Sequence, residues 1–180
     1  MSKNILIIKS SLRKGGNSDT LAEYFAKGAS EAGNKVEIIS LADKEIGFCK
    51  GCLACQKTHR CVINDDAVAI AEKMKNADVI VFATPVYYYS VSGQLKTMLD
   101  RGNLLYLSDY AFRDIYLLAA AAEDEYDTFD GTVTTIKGWV SCFEKVKIVK
   151  TVFAGGVNDM GEIKGHSALD EAYNAGKAIS

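Results

Sequence analysis

The sequence predicts an α/β fold in which a parallel sheet is covered by helices on both faces. Short apolar segments alternate with segments of helical periodicity five times along the chain. The apolar segments show no polar alternation, as expected of strands that are buried on both faces. The length of 180 residues, with 48% hydrophobic and 24% charged residues, fits one domain over residues 1–180 with a full core.

The elements can be placed in order along the chain. The apolar runs predict five strands, at residues 5–8, 36–41, 79–83, 115–121 and 146–153. Residues with helical spacing predict five helices, one opening near Asn17 and the others at 66–74, 94–101, 136–143 and 168–179. Asp65 and Asp66 stand where a residue that caps the second helix is expected.

The number of strands favours a flavodoxin-like three-layer sandwich, with a five-stranded parallel sheet of order 2-1-3-4-5, over the longer dinucleotide-binding sheet. In either fold, ligands bind at the carboxyl ends of the strands, where the strand order reverses. The loops after the first, third and fourth strands are therefore the expected location of a functional site.

Composition excludes several classes of function. The formal charge of -2 leaves no basic surface of the kind that nucleic-acid binding requires. No apolar run is long enough to cross a bilayer, and the run at 5–8 is too short for the core of a signal peptide. We therefore expect a cytoplasmic protein without nucleic-acid or membrane partners, in which the five cysteines do not form a disulfide framework.

The loop after the first strand has the composition of a phosphate site. Residues 10–20 combine hydroxyls, one guanidinium, two glycines and an amide, and they lead into a helix N-terminus. Free N–H groups and the helix dipole at such a terminus attract a phosphate. The loop has neither a Walker A pattern nor a Gly-x-Gly-x-x-Gly pattern. The alternative is a flexible loop that simply caps the helix.

The loop after the third strand favours a flat aromatic ligand. It begins at Pro85, the only proline of the chain, and continues through the consecutive tyrosines Tyr87, Tyr88 and Tyr89. Three adjacent tyrosines cannot all face one core, so at least one should be exposed at the sheet edge. The alternative is a set of core or dimer-interface aromatics, but the position at a strand end favours a cofactor pocket.

Several motifs together resemble the NAD(P)H-dependent FMN reductase group of flavodoxin-like proteins, and within it the branch that includes the iron-sulfur flavoproteins. The resemblance covers nearly the whole chain. The matching motifs are Ser11-x-Arg13 with Gly16-Asn17-Ser18, Pro85-Val86-Tyr87, Gln94-Leu95-Lys96 with Asp100-Arg101, the cysteine segment ending in Cys61-Val62-Ile63-Asn64-Asp65-Asp66, and Gly161-Glu162-Ile163-Lys164-Gly165.

The resemblance implies a site for FMN. It implies that the phosphate is held by Ser11, Arg13, Asn17, Ser18 and Thr20, and that the ring is lined by Pro85, Val86, Tyr87 and Tyr88. It also implies NAD(P)H as co-substrate and a homodimer or homotetramer. The chain departs from the family pattern at Ser10 and Leu12, where glycine and proline are usual, and in the acidic loop at 120–125.

The cysteine segment has a second possible role. Cys49, Cys52, Cys55 and Cys61 lie within one short loop, and four thiolates so spaced can hold a [4Fe–4S] cluster. The same spacing is found in the iron-sulfur flavoproteins. A structural zinc site usually has two separated pairs of ligands, and is less expected. Alternatively the thiols pack or form a redox-sensitive disulfide. Cys142, beside Trp139 and Phe143, is expected to be an inert core residue.

Two principal functions follow. The first is an FMN-dependent NAD(P)H oxidoreductase that passes a hydride to flavin and then electrons to a small acceptor such as a flavin or quinone. Since the cofactor carries that chemistry, no catalytic side chain is predicted. The alternative is an iron-sulfur flavoprotein that acts as an electron carrier for a redox protein. A third, weaker hypothesis is a non-catalytic binding or redox-sensing module.

Overall fold

The computed structural model describes residues 2–180 and contains one mixed sheet. Five strands pair in parallel in the order β2-β1-β3-β5-β6, and β4 pairs antiparallel with the end of β3. The strands are β1 (Asn4–Lys9), β2 (Lys35–Ser40), β3 (Val79–Tyr87), β4 (Ser90–Val91), β5 (Asp114–Ala120) and β6 (Lys147–Ala154).

The predicted order is confirmed, because the five long strands follow 2-1-3-4-5 when numbered among themselves. The short strand β4 was not predicted. It exists because β3 runs three residues past the buried segment and folds back as a hairpin at Tyr88 and Tyr89.

Helices cover both faces of the sheet. The five predicted helices are present, and a further short one, α2, lies inside the cysteine segment. Between residues 2 and 180, none of the helices has the length and apolarity needed to cross a membrane. The helices are α1 (Asn17–Glu31), α2 (Ala54–Thr58), α3 (Asp66–Asn76), α4 (Gly93–Arg101), α5 (Asp130–Val140) and α6 (Ser167–Lys177).

The core is divided by the sheet into two apolar clusters. Successive side chains of β1 point to opposite faces, so that Leu6 and Ile8 pack with α3, α4 and α5, while Ile5 and Ile7 pack with α1 and α6. All four side chains are at most 2% exposed. Burial on both faces explains why the central strands read as continuous apolar runs.

Helices α1 and α6 touch through their backbones at two glycines. A Cβ atom built on Gly28 would lie 2.0 Å from the carbonyl oxygen of Tyr173, and one built on Gly176 would lie 2.2 Å from that of Phe25. Neither carbonyl is at the flexible end of a side chain, so the helices would have to separate to admit a methyl group. This contact fixes α6 on α1 and closes one face of the sheet.

We predict that Gly28→Ala lowers the free energy of unfolding by about 3 kcal/mol, because overpacking at a backbone contact forces the helices apart. The matched control is Gly138→Ala in α5, where a Cβ meets nothing within 4 Å. That change should stabilise the protein by about 0.5–1 kcal/mol through helix propensity. Urea unfolding of both variants measures the difference, and equal effects would contradict the packing argument.

Candidate functional site

The loop from Ser10 to Gly16 forms the first wall of the site. It leaves β1 at the sheet edge and enters α1 through Gly16, which as N-cap residue has no side chain to bond the first-turn amides. The Ser11 hydroxyl donates to the carbonyl of Arg13 at 3.2 Å and accepts from its amide at 3.1 Å, which turns the loop. The helix N-terminus, which has no side-chain cap, therefore offers N–H donors and a positive dipole end to an anion.

Ser10 ties this loop to the centre of the sheet. Its hydroxyl donates to the carbonyl of Ala83 at 3.2 Å and accepts from the hydroxyl of Ser92 at 2.9 Å. Both serines are fully buried. The substitution of the usual glycine by Ser10 thus adds two hydrogen bonds at the end of β1, while Leu12 is exposed to solvent.

A segment near the C-terminus closes the side of the loop. The guanidinium of Arg13 donates to the carbonyl of Asn158 at 3.2 Å, and the amide of Asn17 donates to the carbonyl of Asp159 at 3.0 Å. The backbone N–H of Gly161 in turn donates to Asn17 at 3.3 Å. In the sequence only a family motif marks this segment, because these contacts join residues more than 140 positions apart.

The hairpin between β3 and β4 forms the second wall. Tyr88 and Tyr89 occupy its turn with positive φ angles of 47° and 61°. Two such angles fit the twist of a tight hairpin, but the left-handed region costs about 1 kcal/mol or more for a residue other than glycine. Tyr88 is wholly exposed, whereas Tyr87 and Tyr89 are about half exposed. The strain is tolerated because the neighbouring elements hold the turn.

The third wall follows β5 and is bonded to the hairpin. The hydroxyl of Tyr89 donates to the carboxylate of Glu123 at 2.9 Å, and the hydroxyl of Thr128 donates to the same oxygen at 3.1 Å. The hydrogen bond to Glu123 raises the pKa of Tyr89 above its ordinary value. Gly131 lies against the Tyr89 carbonyl so closely that a Cβ there would come within 2.0 Å. The hairpin and the third loop therefore form one unit.

These walls enclose a cavity of about 650 Å³ at the carboxyl ends of β1, β3 and β5. The structure brings eight of the nine predicted cofactor residues to its lining: Ser11, Arg13, Asn17, Ser18, Pro85, Val86, Tyr87 and Tyr88. Thr20 does not line the cavity, and its hydroxyl donates to the carbonyl of Gly16 at 3.2 Å. Further lining residues, outside that set of nine, are Gly16, Tyr89, Ala120, Ala121, Ala122, Glu123, Thr128, Val157, Asn158 and Met160.

The two ends of the cavity differ in chemistry. Arg13, Ser18 and the first-turn amides of α1 lie at one end, and Arg13 is the only cationic side chain among the described residues that line the cavity. Pro85, Tyr87 and the alanines that follow β5 provide aliphatic and aromatic surface at the other end. A volume of this size and a mostly apolar lining are typical of ligand pockets. The cavity fits a ligand with one phosphate and a flat, largely apolar ring system.

The cysteine segment does not form a four-thiol cage. Cys49 and Cys52 are exposed, and Cys55 and Cys61 are partly buried. Within the described part of the chain, no three Cys, His, Asp or Glu side chains are grouped closely enough to hold a metal ion. The predicted set of Cys49, Cys52, Cys55 and Cys61 is thus not assembled.

Two of the four thiols accept hydrogen bonds from the end of α4 and from the 3-10 turn that follows it. Asn103 donates to the sulfur of Cys55 at 3.4 Å, and Arg101 donates to that of Cys61 at 3.4 Å. Residues 48–52, which carry the other two thiols, make no hydrogen bond to the rest of the described chain. The half of the segment that carries Cys55 and Cys61 is therefore held by hydrogen bonds, and the half that carries Cys49 and Cys52 is not.

Arg101 anchors this segment. Its side chain is 1% exposed and forms a bidentate ion pair with Asp65, at 2.6 and 2.8 Å. It also donates to the carbonyls of Gly47 at 2.8 Å and Ile63 at 3.1 Å, so that both ends of the segment are held to α4. Burial acts to raise the pKa of Asp65, but the hydrogen bonds from Arg101 and from the Gly47 amide outweigh it and leave that pKa below its ordinary value.

The expectation that Cys142 is a core residue is wrong. Cys142 is exposed, with its sulfur 3.6 Å from the carbonyl of Gly138. The cause is that α5 ends at Val140, so the helical face that was extended to residue 143 stops before the cysteine. Phe143 is buried from a turn, and Trp139 packs on Phe82 and Phe112.

Comparison with known proteins identifies related sequences and folds. The sequence model of the NADPH-dependent FMN reductase family matches residues 3–126. An iron-sulfur flavoprotein of Methanocaldococcus jannaschii is 42% identical over 101 residues, which are 56% of this chain and 52% of that protein. An iron-sulfur flavoprotein of Methanosarcina thermophila is 29% identical over 151 residues, 83% of this chain and 79% of that protein. The chain matches only about half the length of the relatives from M. jannaschii and Archaeoglobus fulgidus.

Solved structures show the same fold. The NAD(P)H:quinone oxidoreductase from Methanothermobacter marburgensis superposes with a TM-score of 0.77 at 18% identity, over 100% of both chains. The azoreductase from Bacillus anthracis superposes with a TM-score of 0.72 at 20% identity, over 99% of this chain and 100% of that one. At these identities the likeness concerns the fold alone.

We predict that Arg101→Met lowers the free energy of unfolding by about 3 kcal/mol, because it leaves the partly buried Asp65 carboxylate without its partner. Thiol labelling of Cys61 should become faster in the same variant. The matched control is Lys96→Met, which removes an exposed ion pair with Asp100 on the same helix and should cost less than about 0.5 kcal/mol. Urea unfolding and timed alkylation give both results; similar losses in the two variants would refute the anchoring role.

The same ion pair predicts a dependence of stability on pH. The pKa of Asp65 is lower in the folded than in the unfolded chain, so its contribution is complete above the unfolded value of about 4 and is lost as the pH falls through the folded value. The unfolding free energy of Asp65→Asn should therefore fall less steeply with acidification below about pH 4 than that of the wild type. Asp100→Asn, at an exposed pair, should keep the wild-type slope; parallel curves for all three proteins would contradict the assignment.

Proposed function

Because the chain belongs to the NADPH-dependent FMN reductase family, we propose that it binds FMN in the cavity at the carboxyl ends of β1, β3 and β5 and works as an NAD(P)H-dependent oxidoreductase with a small electron acceptor. The observation that carries this proposal is the composition of the cavity, which joins one anion-binding end to one flat apolar end. Four smaller cavities among the described residues do not combine these two features with a position at the strand ends.

The phosphate end determines how FMN is oriented in this proposal. The first-turn amides of α1 and the hydroxyl of Ser18 donate hydrogen bonds to the phosphate, and Arg13 supplies the positive charge. The hydrogen bonds from Arg13 to Asn158 and from Asn17 to Asp159 keep both side chains in place before the ligand arrives. Binding then requires little reorganisation of the loop.

The apolar end holds the ring in this proposal. Pro85 and Val86 stiffen the exit of β3, and Tyr87 presents an aromatic surface to the cavity. The Tyr89–Glu123 hydrogen bond holds the hairpin against the loop after β5, so the width between the two walls is fixed. Tyr88 remains exposed at the mouth, where a nicotinamide or an acceptor approaches the ring.

Bound FMN supplies the hydride and electron chemistry, and the protein supplies orientation and a partly dry environment. No side chain in the lining is required as a general acid or nucleophile. Exposed Tyr88 and Met160 at the mouth support the further proposal of a homodimer or homotetramer in which a second subunit borders the mouth without closing it, and the molecular mass in solution tests the oligomeric state.

Arg13→Ala should weaken FMN binding by about tenfold or more and leave riboflavin binding unchanged, because only FMN carries the phosphate that the guanidinium attracts. The matched control is Lys14→Ala, which removes the neighbouring charge. Lys14 is largely exposed and pairs with Asp43 at 3.2 Å, so its loss should change FMN binding less than twofold. Titration followed by flavin fluorescence gives the dissociation constants. Equal affinity of the wild type for FMN and riboflavin would refute the proposed phosphate end.

The second candidate function is that of an iron-sulfur flavoprotein serving a redox protein. The cysteine spacing and the names of the related proteins favour it. The thiols do not fit a [4Fe–4S] cluster as they stand, since the structure does not group them. Residues 48–52 would have to move to bring Cys49 and Cys52 to the other two thiols.

One anaerobic preparation separates the two functions. The reductase proposal predicts flavin absorption that is bleached by NADH or NADPH, with less than one iron per chain. The iron-sulfur alternative predicts about four irons and four sulfides per chain and slow or absent bleaching by either nucleotide. Cys49→Ser should leave bleaching unchanged under the first proposal and abolish the iron content under the second. Absence of bound flavin with FMN in excess contradicts both.

A further inference from the structure

Asp19 is a buried charge that the proposed function does not yet use. It is the third residue of α1 and only 3% exposed. One carboxylate oxygen lies 3.2 Å from the ammonium group of Lys9 and accepts from the backbone N–H of Gly15 at 3.4 Å. The other oxygen is buried and has no hydrogen-bond partner among the described residues. An unpaired buried carboxylate oxygen is costly and calls for an explanation.

Helix capping explains only part of this arrangement. An acidic residue in the first turn interacts favourably with the helix dipole, and it can bond an amide that precedes the helix. Such a residue is normally solvated, whereas burial raises the pKa of Asp19 above its ordinary value despite the neighbouring Lys9. The exposed Glu23 also approaches Lys9, at 3.6 Å. A buried carboxylate at this position therefore costs more free energy than a capping residue in contact with solvent would.

The electrostatic consequence concerns the phosphate end of the cavity. Gly16, Asn17 and Ser18 line that end, and Asp19 is the next residue of the same helical turn. Its negative charge offsets both the positive end of the helix dipole and the ammonium group of Lys9. The same carboxylate holds Gly15, so the loop keeps its shape while its attraction for anions is reduced.

We propose that Asp19, acting with Lys9, is a positioning residue that limits the affinity of the loop for the FMN phosphate and so keeps FMN exchangeable. The proposal rests on the proposed function, since it concerns the same phosphate end. It assigns opposite effects to the two charges: Lys9 strengthens phosphate binding and Asp19 weakens it. Riboflavin, which lacks the phosphate, is insensitive to both.

The test is Asp19→Asn, which keeps an oxygen that can accept from Gly15 but removes the charge. FMN should bind about fivefold more tightly and dissociate correspondingly more slowly, as expected for one charge near the ligand in a partly solvated site. Riboflavin affinity should not change. The matched control is Glu23→Gln, which alters the exposed carboxylate near Lys9 and should change the FMN affinity less than twofold.

A second variant keeps the test valid where Asp19→Asn perturbs the fold. Lys9→Gln should weaken FMN binding and spare riboflavin, and the double variant Lys9→Gln with Asp19→Asn should restore the wild-type ratio of the two affinities. Unchanged or weaker FMN binding in Asp19→Asn, or equal shifts for both flavins, overturns the role assigned to Asp19. Those results leave the proposed function standing, whereas a wild type that binds neither flavin refutes the function and this proposal together.

Discussion

The parallel pairing of β1, β3 and β5 is the constraint from which the site follows. Parallel strands end at one edge of a sheet, so the loops that leave these three strands have to meet there. The sheet order reverses beside β1, with β2 on one side and β3 on the other. The crevice that results places an anion-binding helix terminus opposite an aromatic hairpin. Neither wall alone would make a ligand site.

The remaining elements fix the positions of these walls relative to one another. The hydrogen bond from Tyr89 to Glu123 joins the hairpin to the loop after β5, and the glycine contact of α1 with α6 fixes the helix that carries the phosphate end. Arg101 plays the corresponding role on the other side of the molecule, where it ties both ends of the cysteine segment to α4. The cavity and the cysteine segment are therefore held by separate interactions.

The sequence predicts well what depends on local pattern. Buried strands give continuous apolar runs, and the phosphate loop and the tyrosines follow such runs directly, so the strand order and the location of the site could be proposed in advance. The eight lining residues were named individually only through the resemblance to the FMN reductase family. Contacts between residues that are far apart in the sequence produce no local pattern from which they could be predicted. The ion pair of Arg101 with Asp65 and the closure of the loop by Asn158 depend on packing across the fold. The exposure of Cys142 depends on where α5 ends, which periodicity alone does not define.

Hydrogen exchange measured by mass spectrometry, with and without FMN, tests the central claim most directly. If the cavity at the strand ends holds FMN, peptides covering residues 10–18, 85–90 and 120–128 become protected together, and the peptide covering 48–52 is unaffected. Protection of the cysteine segment without protection of these three loops would contradict the account, because it would place the flavin outside the crevice that the parallel strands create.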